Sequence, residues 1–256
     1  MDHLLISIIT VSFSSVDTIR HTIDSVLAQT YKNIEYILID GASNDGTVEL
    51  INSYGGRISR VISEPDYGIY DAINKGIRIA TGDIVGILNS DDILYDNNVI
   101  MKIAETFDQS SVDAVYGDVV FFDPDIPSRI TRYYSSGSFS LNKFKFGFMP
   151  AHPSFYVKRK IYKELGYYKT DYKIAADYEI LIRFLFIHRI KCKYIEMPFV
   201  SMRTGGISNK SIRSNITLNR EIARACKENG LRTNYFFIYS KYLTKIFEFF
   251  GKKVTP

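Results

Sequence analysis

Cysteine and histidine are scarce in this 256-residue chain, and tryptophan is absent. The two cysteines, Cys192 and Cys226, are too few for a disulfide framework and lack the spacing of a zinc site. A reducing cytoplasm is therefore the expected compartment. The other aromatic residues are plentiful, with 19 Tyr and 17 Phe, and they suit apolar surfaces that keep a polar contact.

Long uncharged apolar segments are also lacking. No stretch reaches the roughly 18 apolar residues that a membrane-spanning helix requires. The amino terminus has a short apolar run without a basic region or a small-residue cleavage site, so we expect a first strand rather than a signal peptide. Several enzyme signatures are missing as well: the serine nucleophile elbow, the phosphate-binding P-loop, the dinucleotide-binding glycine fingerprint and zinc-type His or Cys clusters.

The net charge of +4 is concentrated in residues 231–256, and the rest of the chain is balanced. Without a broad basic surface, nucleic-acid binding is not expected. Residues 231–256 are predicted to form a basic amphipathic helix, which packs against the preceding domain or a second subunit of a homo-oligomer, or attaches to a membrane surface. Its apolar stripe comprises Tyr235, Phe236, Tyr239, Tyr242, Leu243, Ile246, Phe247 and Phe250, with Lys241, Lys245, Glu248 and Lys252 opposite.

Apolar strands alternate with amphipathic helices over the first hundred residues. This alternation predicts βαβ units with right-handed crossovers, and thus an α/β fold with a mostly parallel sheet flanked by helices. The predicted strands are Leu4 to Phe13, Ile34 to Asp40, Ile58 to Ser63, Ile84 to Leu88, Ala114 to Phe122 and Cys192 to Met197. Helices are predicted near 17–28, from Thr47, across 69–80, and near 97–107, 158–165, 175–188 and 211–229, with an irregular region at 124–153.

Paired carboxylates follow one of these strands. Ile84 to Leu88 is apolar throughout, as a strand covered on both faces requires, and it ends in Asn89, Ser90, Asp91 and Asp92. Ligands in parallel sheets bind beyond the carboxyl ends of strands. Two adjacent acids there indicate either a divalent cation held by oxygen ligands or a solvated turn.

Other candidates lie in loops at the same edge of the predicted sheet. Asp40 ends its strand, where it can bind a ribose hydroxyl or a base N–H, or simply form a turn. Asp66 opens a helix and is either a cap or part of the same site. His152 lies between two prolines and is structural or catalytic. Asp177 begins an apolar helix, as a dipole-stabilising acid or as a partly desolvated general base.

The motifs in their chain order resemble a family 2 glycosyltransferase of the GT-A (Rossmann-like) fold, over roughly residues 4–210. Within that family, the sequence looks most similar to bacterial enzymes that build colanic acid, capsule or O-antigen units. The matching segments are Ile8 to Phe13, Asp40 to Thr47, Glu64 to Gly76, Asn89 to Asp92, His152 to Phe155, Ala175 to Glu179 and Gly205 to Ser208.

The resemblance implies a nucleotide-sugar donor site. Thr10 and Ser12 would border the nucleotide, Asp40 would hold its base or ribose, and Asp66 would contribute to the same pocket. The segment Asn89 to Asp92 would correspond to the family's DXD motif, with Asp91 binding Mn²⁺ or Mg²⁺ and Asp92 orienting the donor sugar.

The resemblance also implies an acceptor site and a mechanism. Asp177 matches the family's catalytic base, and His152 and Gly206 would lie near the acceptor and a mobile loop. The expected reaction is a single inverting displacement onto a hydroxyl of a glycan acceptor, lipid-linked in this class. Three departures stand out: Asn89 opens the DXD motif in place of Asp, Ser14 stands where Asn is frequent, and Ala176 replaces an acid.

The expected organisation is a glycosyltransferase domain over 1–230, with a donor half at about 1–100 and an acceptor half at 101–230, followed by the helix of 231–256. The protein is expected in the cytoplasm or peripherally at the inner face of the membrane. Two alternatives are a catalytically inactive nucleotide-sugar-binding protein of the same fold and a nucleotidyltransferase, whose basic triphosphate loop is missing from Thr10 to Ser15.

Overall fold

The computed structural model describes residues 4–126, 129–204 and 212–242. Within them, nine strands form one sheet. They are β1 (Ile6–Ser12), β2 (Ile34–Asp40), β3 (Arg60–Ser63), β4 (Ile84–Asn89), β5 (Ile93–Leu94), β6 (Ala114–Phe122), β7 (Ile130–Tyr134), β8 (Tyr156–Lys158) and β9 (Cys192–Arg203). The strand order is β3–β2–β1–β4–β8–β6–β9–β5, and β7 pairs with β6.

Seven helices of the described residues cover this sheet. They are α1 (Ile19–Leu27), α2 (Thr47–Asn52), α3 (Ile69–Ile79), α4 (Val99–Gln109), α5 (Arg159–Leu165), α6 (Ala176–Leu181) and α7 (Ile212–Glu228). Residues 235–242 are also helical. None of these helices has both the length and the apolar character of a membrane span.

The helices divide between the two faces of the sheet because successive strand residues point to opposite sides. One apolar core contains Ile9, Val11 and residues of α3, α5, α6 and α7. The other contains Ile6, Ile8 and residues of α1, α2 and α4. The result is three layers, and the predicted α/β class with helices flanking the sheet is confirmed.

Strand direction changes at the middle of the sheet. Strands β1 to β4 pair in parallel, as their helical crossovers predict. Strand β8 then pairs antiparallel with both β4 and β6. Because β8 follows the irregular region, this pairing returns residues of the 150s to the edge where β4 ends.

The predicted elements and the structure differ mainly in short segments. Strands β5, β7 and β8 have two to five residues and were not predicted, since so few residues show no clear periodicity. The region predicted to be irregular contains β7 and two 3₁₀ turns, Leu141–Phe146 and His152–Ser154. The predicted helix over 175–188 is α6 followed by a π-helical turn at Ile182–Ile187.

The described part of the carboxyl-terminal helix packs on the protein. Ile238 is fully buried, Phe237 contacts Phe146 with ring centroids 5.2 Å apart, and Lys241 is only 5% exposed. The prediction that Lys241 lies on an outer polar face is therefore wrong, because residues 237, 238 and 241 share the inner face. Tyr235, Phe236 and Tyr239 point outward. The rest of the predicted apolar stripe, from Leu243 onward, lies outside the described residues.

Gly86 allows β4 to pack beneath a buried aromatic ring. A Cβ atom at Gly86 would lie 2.1 Å from Cε1 of Tyr156, which is fully buried in β8. We expect Gly86→Ala to lower the free energy of unfolding by about 1–3 kcal/mol, the usual cost of overpacking a core. Gly56→Ala is the control, because no atom lies within 4 Å of its Cβ position. Urea denaturation giving equal midpoints for both variants would contradict this account.

Candidate active site

The carboxyl ends of β1, β2 and β4 meet at one edge of the sheet. In the strand register Ser12 pairs with Asp40, and Val11 pairs with Asn89. The loops that follow these strands therefore begin side by side. This edge brings together most of the candidate residues from the first hundred positions.

Asp40 is the centre of a buried hydrogen-bond cluster. Its carboxylate is fully buried and accepts hydrogen bonds from the hydroxyls of Ser12 (3.0 Å), Ser43 (2.6 Å) and Ser63 (2.8 Å) and from the Ser43 amide (2.8 Å). These donors satisfy a charge that would be costly to bury alone. In this structure the oxygens of Asp40 hold loops together, and the expected contact of Asp40 with a base or ribose stays a prediction. Ser12, expected to border the nucleotide, belongs to this cluster.

Thr10 does not reach the edge. It is fully buried, and its hydroxyl accepts a hydrogen bond from the Tyr36 hydroxyl at 3.2 Å. The strand alternation explains this placement, since Thr10 shares a face with Ile8 in the core beneath α1 and α2. The Thr10 side chain thus faces the core, and the expected place of Thr10 at the border of a nucleotide stays a prediction.

Hydroxyl groups join the three loops at the edge. The Ser14 amide donates to Ser43 Oγ at 2.8 Å, and the Ser15 amide donates to Thr47 Oγ1 at 2.9 Å. The hydroxyls of Ser15 and Ser90 lie 2.8 Å apart, which links the first loop to the acidic turn. Ser14 and Ala42 have positive φ angles of 49° and 61°. Such backbone conformations persist where surrounding contacts enforce them, often at functional sites.

Gly41 leaves space for an exposed carboxylate. A Cβ atom at Gly41 would lie 2.7 Å from Oδ2 of Asp66 and 3.1 Å from Cδ2 of Phe13. Asp66 is partly exposed, and its Oδ1 accepts the Gly68 amide at 2.8 Å. Phe13 and the adjacent Tyr67 are 69% and 93% exposed. At this edge Asp66 is thus an accessible carboxylate with two exposed aromatic rings near it. Phe13 and Asp66 both border the space beside Gly41, and Tyr67 follows Asp66 in the chain.

Asn89 and Asp92 explain the departure from the DXD pattern. Asp92 is 2% exposed, and burial, with Asp91 next to it, raises its pKa to about 8. Its Oδ2 accepts a hydrogen bond from the Asn89 side-chain amide at 3.1 Å, and the Arg203 backbone amide also donates to it. An acid at position 89 would instead oppose this carboxyl with a second one. Asn89 therefore supplies a hydrogen-bond donor to Asp92 at a position where an aspartate would place a second carboxyl group.

Asp91 is the accessible acid of this turn. It is partly exposed, and among the described residues no protein group donates a hydrogen bond or ion pair to it. Those residues contain no group of three or more His, Cys, Asp or Glu side chains arranged to hold a metal. One carboxylate still fits Mg²⁺ or Mn²⁺, because such ions are commonly bound by one or two carboxylates together with substrate phosphates.

Asp177 and His152 form a close pair. Asp177 Oδ2 lies 3.1 Å from His152 Nδ1, and Asp177 Oδ1 accepts the Tyr178 amide at 2.8 Å. Burial raises the pKa of the Asp177 carboxyl, while His152 opposes the rise. Asp177 is 8% exposed and the His152 side chain 38% exposed. A partly desolvated carboxylate oriented by an imidazole is suited to accept a proton.

The turn that carries His152 is firmly held. It packs against β4, β6 and β9. Ser154 Oγ donates to the Gly117 carbonyl at 2.8 Å and accepts the Gly117 amide at 3.2 Å, and the Ala151 amide donates to Ser136 Oγ at 3.1 Å. The structure therefore holds the turn of His152 against β4 and β6, with Ser154 bonded to Gly117 in the middle of β6.

Two kinds of site residue were not identified from the sequence. Phe13 and Tyr67 are notable only through their exposure, which no sequence pattern indicated. Glu221 lies on the buried face of α7, beside Ile222, and its carboxylate accepts amides of the segment before Asp177. The sequence did offer a signal for Glu221, because it is an acid within the apolar stripe of a predicted helix. Gly206, predicted to lie in a mobile loop, falls outside the described residues.

Comparisons with known proteins identify the class. Residues 7–166 match the family model described as Glycosyl transferase family 2. A PGL/p-HBAD biosynthesis glycosyltransferase of Mycobacterium bovis (strain BCG / Pasteur 1173P2) is 28% identical over 210 residues, covering 80% of this chain and 79% of that protein. An uncharacterized glycosyltransferase of Mycobacterium tuberculosis (strain CDC 1551 / Oshkosh) is 35% identical over 182 residues, covering 70% and 68%.

Solved structures share the fold at low sequence identity. S. aureus TarS 1–349 in complex with UDP-GlcNAc gives a TM-score of 0.69 at 15% identity, covering 86% of this chain and 66% of that chain. The mannosyltransferase PcManGT from Pyrobaculum calidifontis, in complex with GDP-Man and Mn²⁺, gives 0.64 at 16% identity, covering 88% and 64%. This chain thus spans slightly less than two thirds of either solved chain.

The sheet, its flanking helices and these neighbours define a glycosyltransferase fold of the GT-A type. Because the family model matches more than half of the chain, the protein belongs to glycosyltransferase family 2.

The cluster around Asp40 predicts different costs for two similar substitutions. Asp40→Asn places an amide among four donors, so we expect it to lower the free energy of unfolding by about 1–3 kcal/mol. Asp66→Asn keeps an oxygen for the Gly68 amide and should change stability by less than about 0.5 kcal/mol. Urea denaturation of both variants measures the difference. Equal stability of the Asp40 variant and the unsubstituted protein would refute the role of the cluster.

Proposed function

We propose that the protein transfers a sugar from a nucleoside diphosphate sugar to a hydroxyl of a glycan acceptor, with inversion at the anomeric carbon and with a divalent metal ion. The pair formed by Asp177 and His152 supports this proposal most directly. It provides a buried, oriented base, and the turn that carries His152 contacts β4, the strand that Asp91 follows. The UDP-GlcNAc and GDP-Man complexes of the structural neighbours support the donor class.

The donor nucleotide is proposed to bind at the ends of β1 and β2. The exposed rings of Phe13 and Tyr67 offer flat apolar surfaces for a base. Asp66 offers a carboxylate oxygen that can accept a base N–H or a ribose hydroxyl. The Asp40 cluster, with Ser12, would keep the loops in the conformation that the nucleotide requires.

The diphosphate is proposed to bind beside Asp91. Mg²⁺ or Mn²⁺ bound by Asp91 and the diphosphate oxygens would neutralise the charge that develops on the leaving group. Asn89 and Asp92 would fix the turn that presents Asp91, through their mutual hydrogen bond. Asp92, which is expected to orient the donor sugar, would then do so indirectly, by holding this turn in place.

Asp177 is proposed to act as the general base. Its carboxylate would remove the proton of the acceptor hydroxyl while that oxygen attacks the anomeric carbon from the side opposite the diphosphate. One carbon–oxygen bond forms as the bond to the diphosphate breaks, so the anomeric configuration inverts. His152 would hold the carboxylate in position through its Nδ1 atom.

Substitutions at Asp177 and Asp91 test the two roles separately. Asp177→Asn should reduce transfer by about 10²–10⁴-fold, the usual contribution of a general base, and should retain donor binding. Asp91→Ala should abolish the Mn²⁺-dependent part of donor binding. Because burial raises the pKa of Asp177, this base takes up a proton at a higher pH than an ordinary aspartate. The rate of the unsubstituted protein should therefore begin to decline, as the pH is lowered, at a pH above the ordinary aspartate pKa of about 3.9.

A panel of nucleotide sugars, screened by thermal shift with and without Mn²⁺, identifies the donor, since a ligand of the folded state raises its stability. Release of the nucleoside diphosphate then measures transfer. Asp108→Asn, an exposed acid on α4, is the control and should behave as the unsubstituted protein. Full transfer by Asp177→Asn would refute the base assignment. Donor binding without transfer by the unsubstituted protein would identify a binding protein instead.

The acceptor is proposed to be a lipid-linked glycan of bacterial surface polysaccharide synthesis, reached from the cytoplasmic side. Tyr235, Phe236 and Tyr239 form an exposed aromatic face on the described part of the last helix. Aromatic side chains with nearby basic residues are typical of protein surfaces that bind anionic membranes. We therefore propose that this face contacts the membrane surface.

Vesicle binding tests this surface. Replacing both Phe236 and Tyr239 by Ser should weaken co-sedimentation with phosphatidylglycerol vesicles about tenfold or more, given the apolar area removed. Ile187→Ser is the control, because Ile187 is 42% exposed elsewhere on the surface. Unchanged co-sedimentation would contradict membrane attachment. A lower mass of the double variant in sedimentation velocity would show a subunit contact instead.

A further inference from the structure

Glu221 binds the segment that leads into the proposed base. Its Oε1 atom accepts the Lys173 amide at 2.8 Å, and its Oε2 atom accepts the Ile174 and Ala175 amides, each at 2.9 Å. Glu221 is 9% exposed, so these contacts are shielded from water. Three consecutive backbone donors therefore point at one carboxylate on α7.

Glu221 holds the backbone that leads into α6, up to its N-cap residue. The first amides of a helix have no partner within the helix, and a side chain usually accepts one of them at the N-cap position. Ala175 occupies that position and has no polar side chain, and α6 has no side-chain cap of its own. Glu221 instead accepts amides at and just before the N-cap from a distant helix. Asp177 follows two residues later.

The opposite side of the same segment is held by α3. The Tyr70 hydroxyl donates to the Ile174 carbonyl at 2.5 Å. The Asn74 side chain donates to the Tyr168 carbonyl at 2.8 Å and accepts the Tyr168 amide at 3.0 Å. The backbone before Asp177 thus lies between two helices that contact it through different groups. Loss of Glu221 would remove the contacts of α7 with the amides of residues 173–175 and leave those of α3 in place.

Glu221 also acts on Asp177 through its charge. The groups that influence or face Asp177 are His152, Tyr70, Tyr168 and Glu221. The negative charge of Glu221 raises the pKa of the Asp177 carboxyl, and His152 lowers it. The remaining two are tyrosines whose own pKa values are raised above 10 by burial, so they are neutral at physiological pH.

We propose that Glu221 is a positioning residue for the transfer reaction: it fixes residues 173–175 and thereby the place of Asp177. The inference rests on the proposed function, in which Asp177 is the base. Misplacing a reacting group by about 1 Å can cost about 100-fold in rate. Glu221 would thus affect the rate of transfer without touching donor or acceptor.

The experiment compares three variants of the full chain. Glu221→Gln removes the charge and places an amide among the backbone donors. It should lower kcat about 10- to 100-fold, leave KM for the donor within about twofold, and move the acidic limb of the kcat profile to lower pH. Glu221→Asp keeps the charge and should recover part of kcat with the acidic limb at its original pH.

Glu228→Gln is the matched control. Glu228 also lies on α7 and accepts hydrogen bonds from Lys169 and Tyr172 of the same loop, yet it is not among the groups that shift the pKa of Asp177 most. This variant should leave the acidic limb in place. Thermal unfolding, and donor binding by thermal shift, give the folded fraction by which each kcat is corrected.

An active unsubstituted protein whose Glu221→Gln variant keeps its kcat and acidic limb would overturn the inference. So would a Glu221→Asp variant that shows the same displaced limb as Glu221→Gln. If Glu221→Gln does not fold, Glu221→Asp decides the inference: a reduced kcat with an unchanged limb supports it, and an unchanged kcat overturns it. Absence of transfer by the unsubstituted protein would instead refute the proposed function.

Discussion

The hydrogen bonds to the Asp40 carboxylate fix the loops at the sheet edge that is proposed to bind the donor nucleotide. A buried charge is stable only when donors surround it, and the donors here come from the end of β1, from the loop after β2 and from the end of β3. Three chain segments therefore have one arrangement that satisfies the carboxylate. The contact between Ser15 and Ser90 extends this order to the acidic turn after β4. Loops fixed before a ligand arrives lose less conformational entropy on binding.

The part of the site that carries the proposed base depends on the antiparallel pairing of β8 with β4 and β6. The turn at His152 packs against these two strands, whose chain positions are far apart, and Asp177 of the apolar helix α6 lies beside His152. The two parts of the proposed site are thus built by different means. Parallel βαβ units align the loops proposed to bind the donor, and a reversal of strand direction positions the turn proposed to face the acceptor.

The sequence alone is enough to predict elements whose residue pattern is long or lies within neighbouring positions. Strand β6 begins and ends at the predicted residues, Ala114 and Phe122. The motifs predicted a role for the acidic turn after β4 and for the aspartate of α6, and both are part of the proposed site. The roles of Asp40 and Glu221 could not be predicted, because each depends on which donors the folded chain brings within reach. Glu221 and the Ala175 amide are 46 positions apart, and no local periodicity relates them.

The contact between Glu221 and the backbone before α6 has a consequence for the order in which the protein is synthesised. The amides of residues 173–175 are satisfied by a helix that leaves the ribosome after every described strand of the sheet. An incomplete chain can already contain all of β1 to β4, and with them the edge proposed to hold the nucleotide, while the segment before Asp177 still lacks its partner. The proposed base would therefore reach its final position later in synthesis than the proposed nucleotide edge.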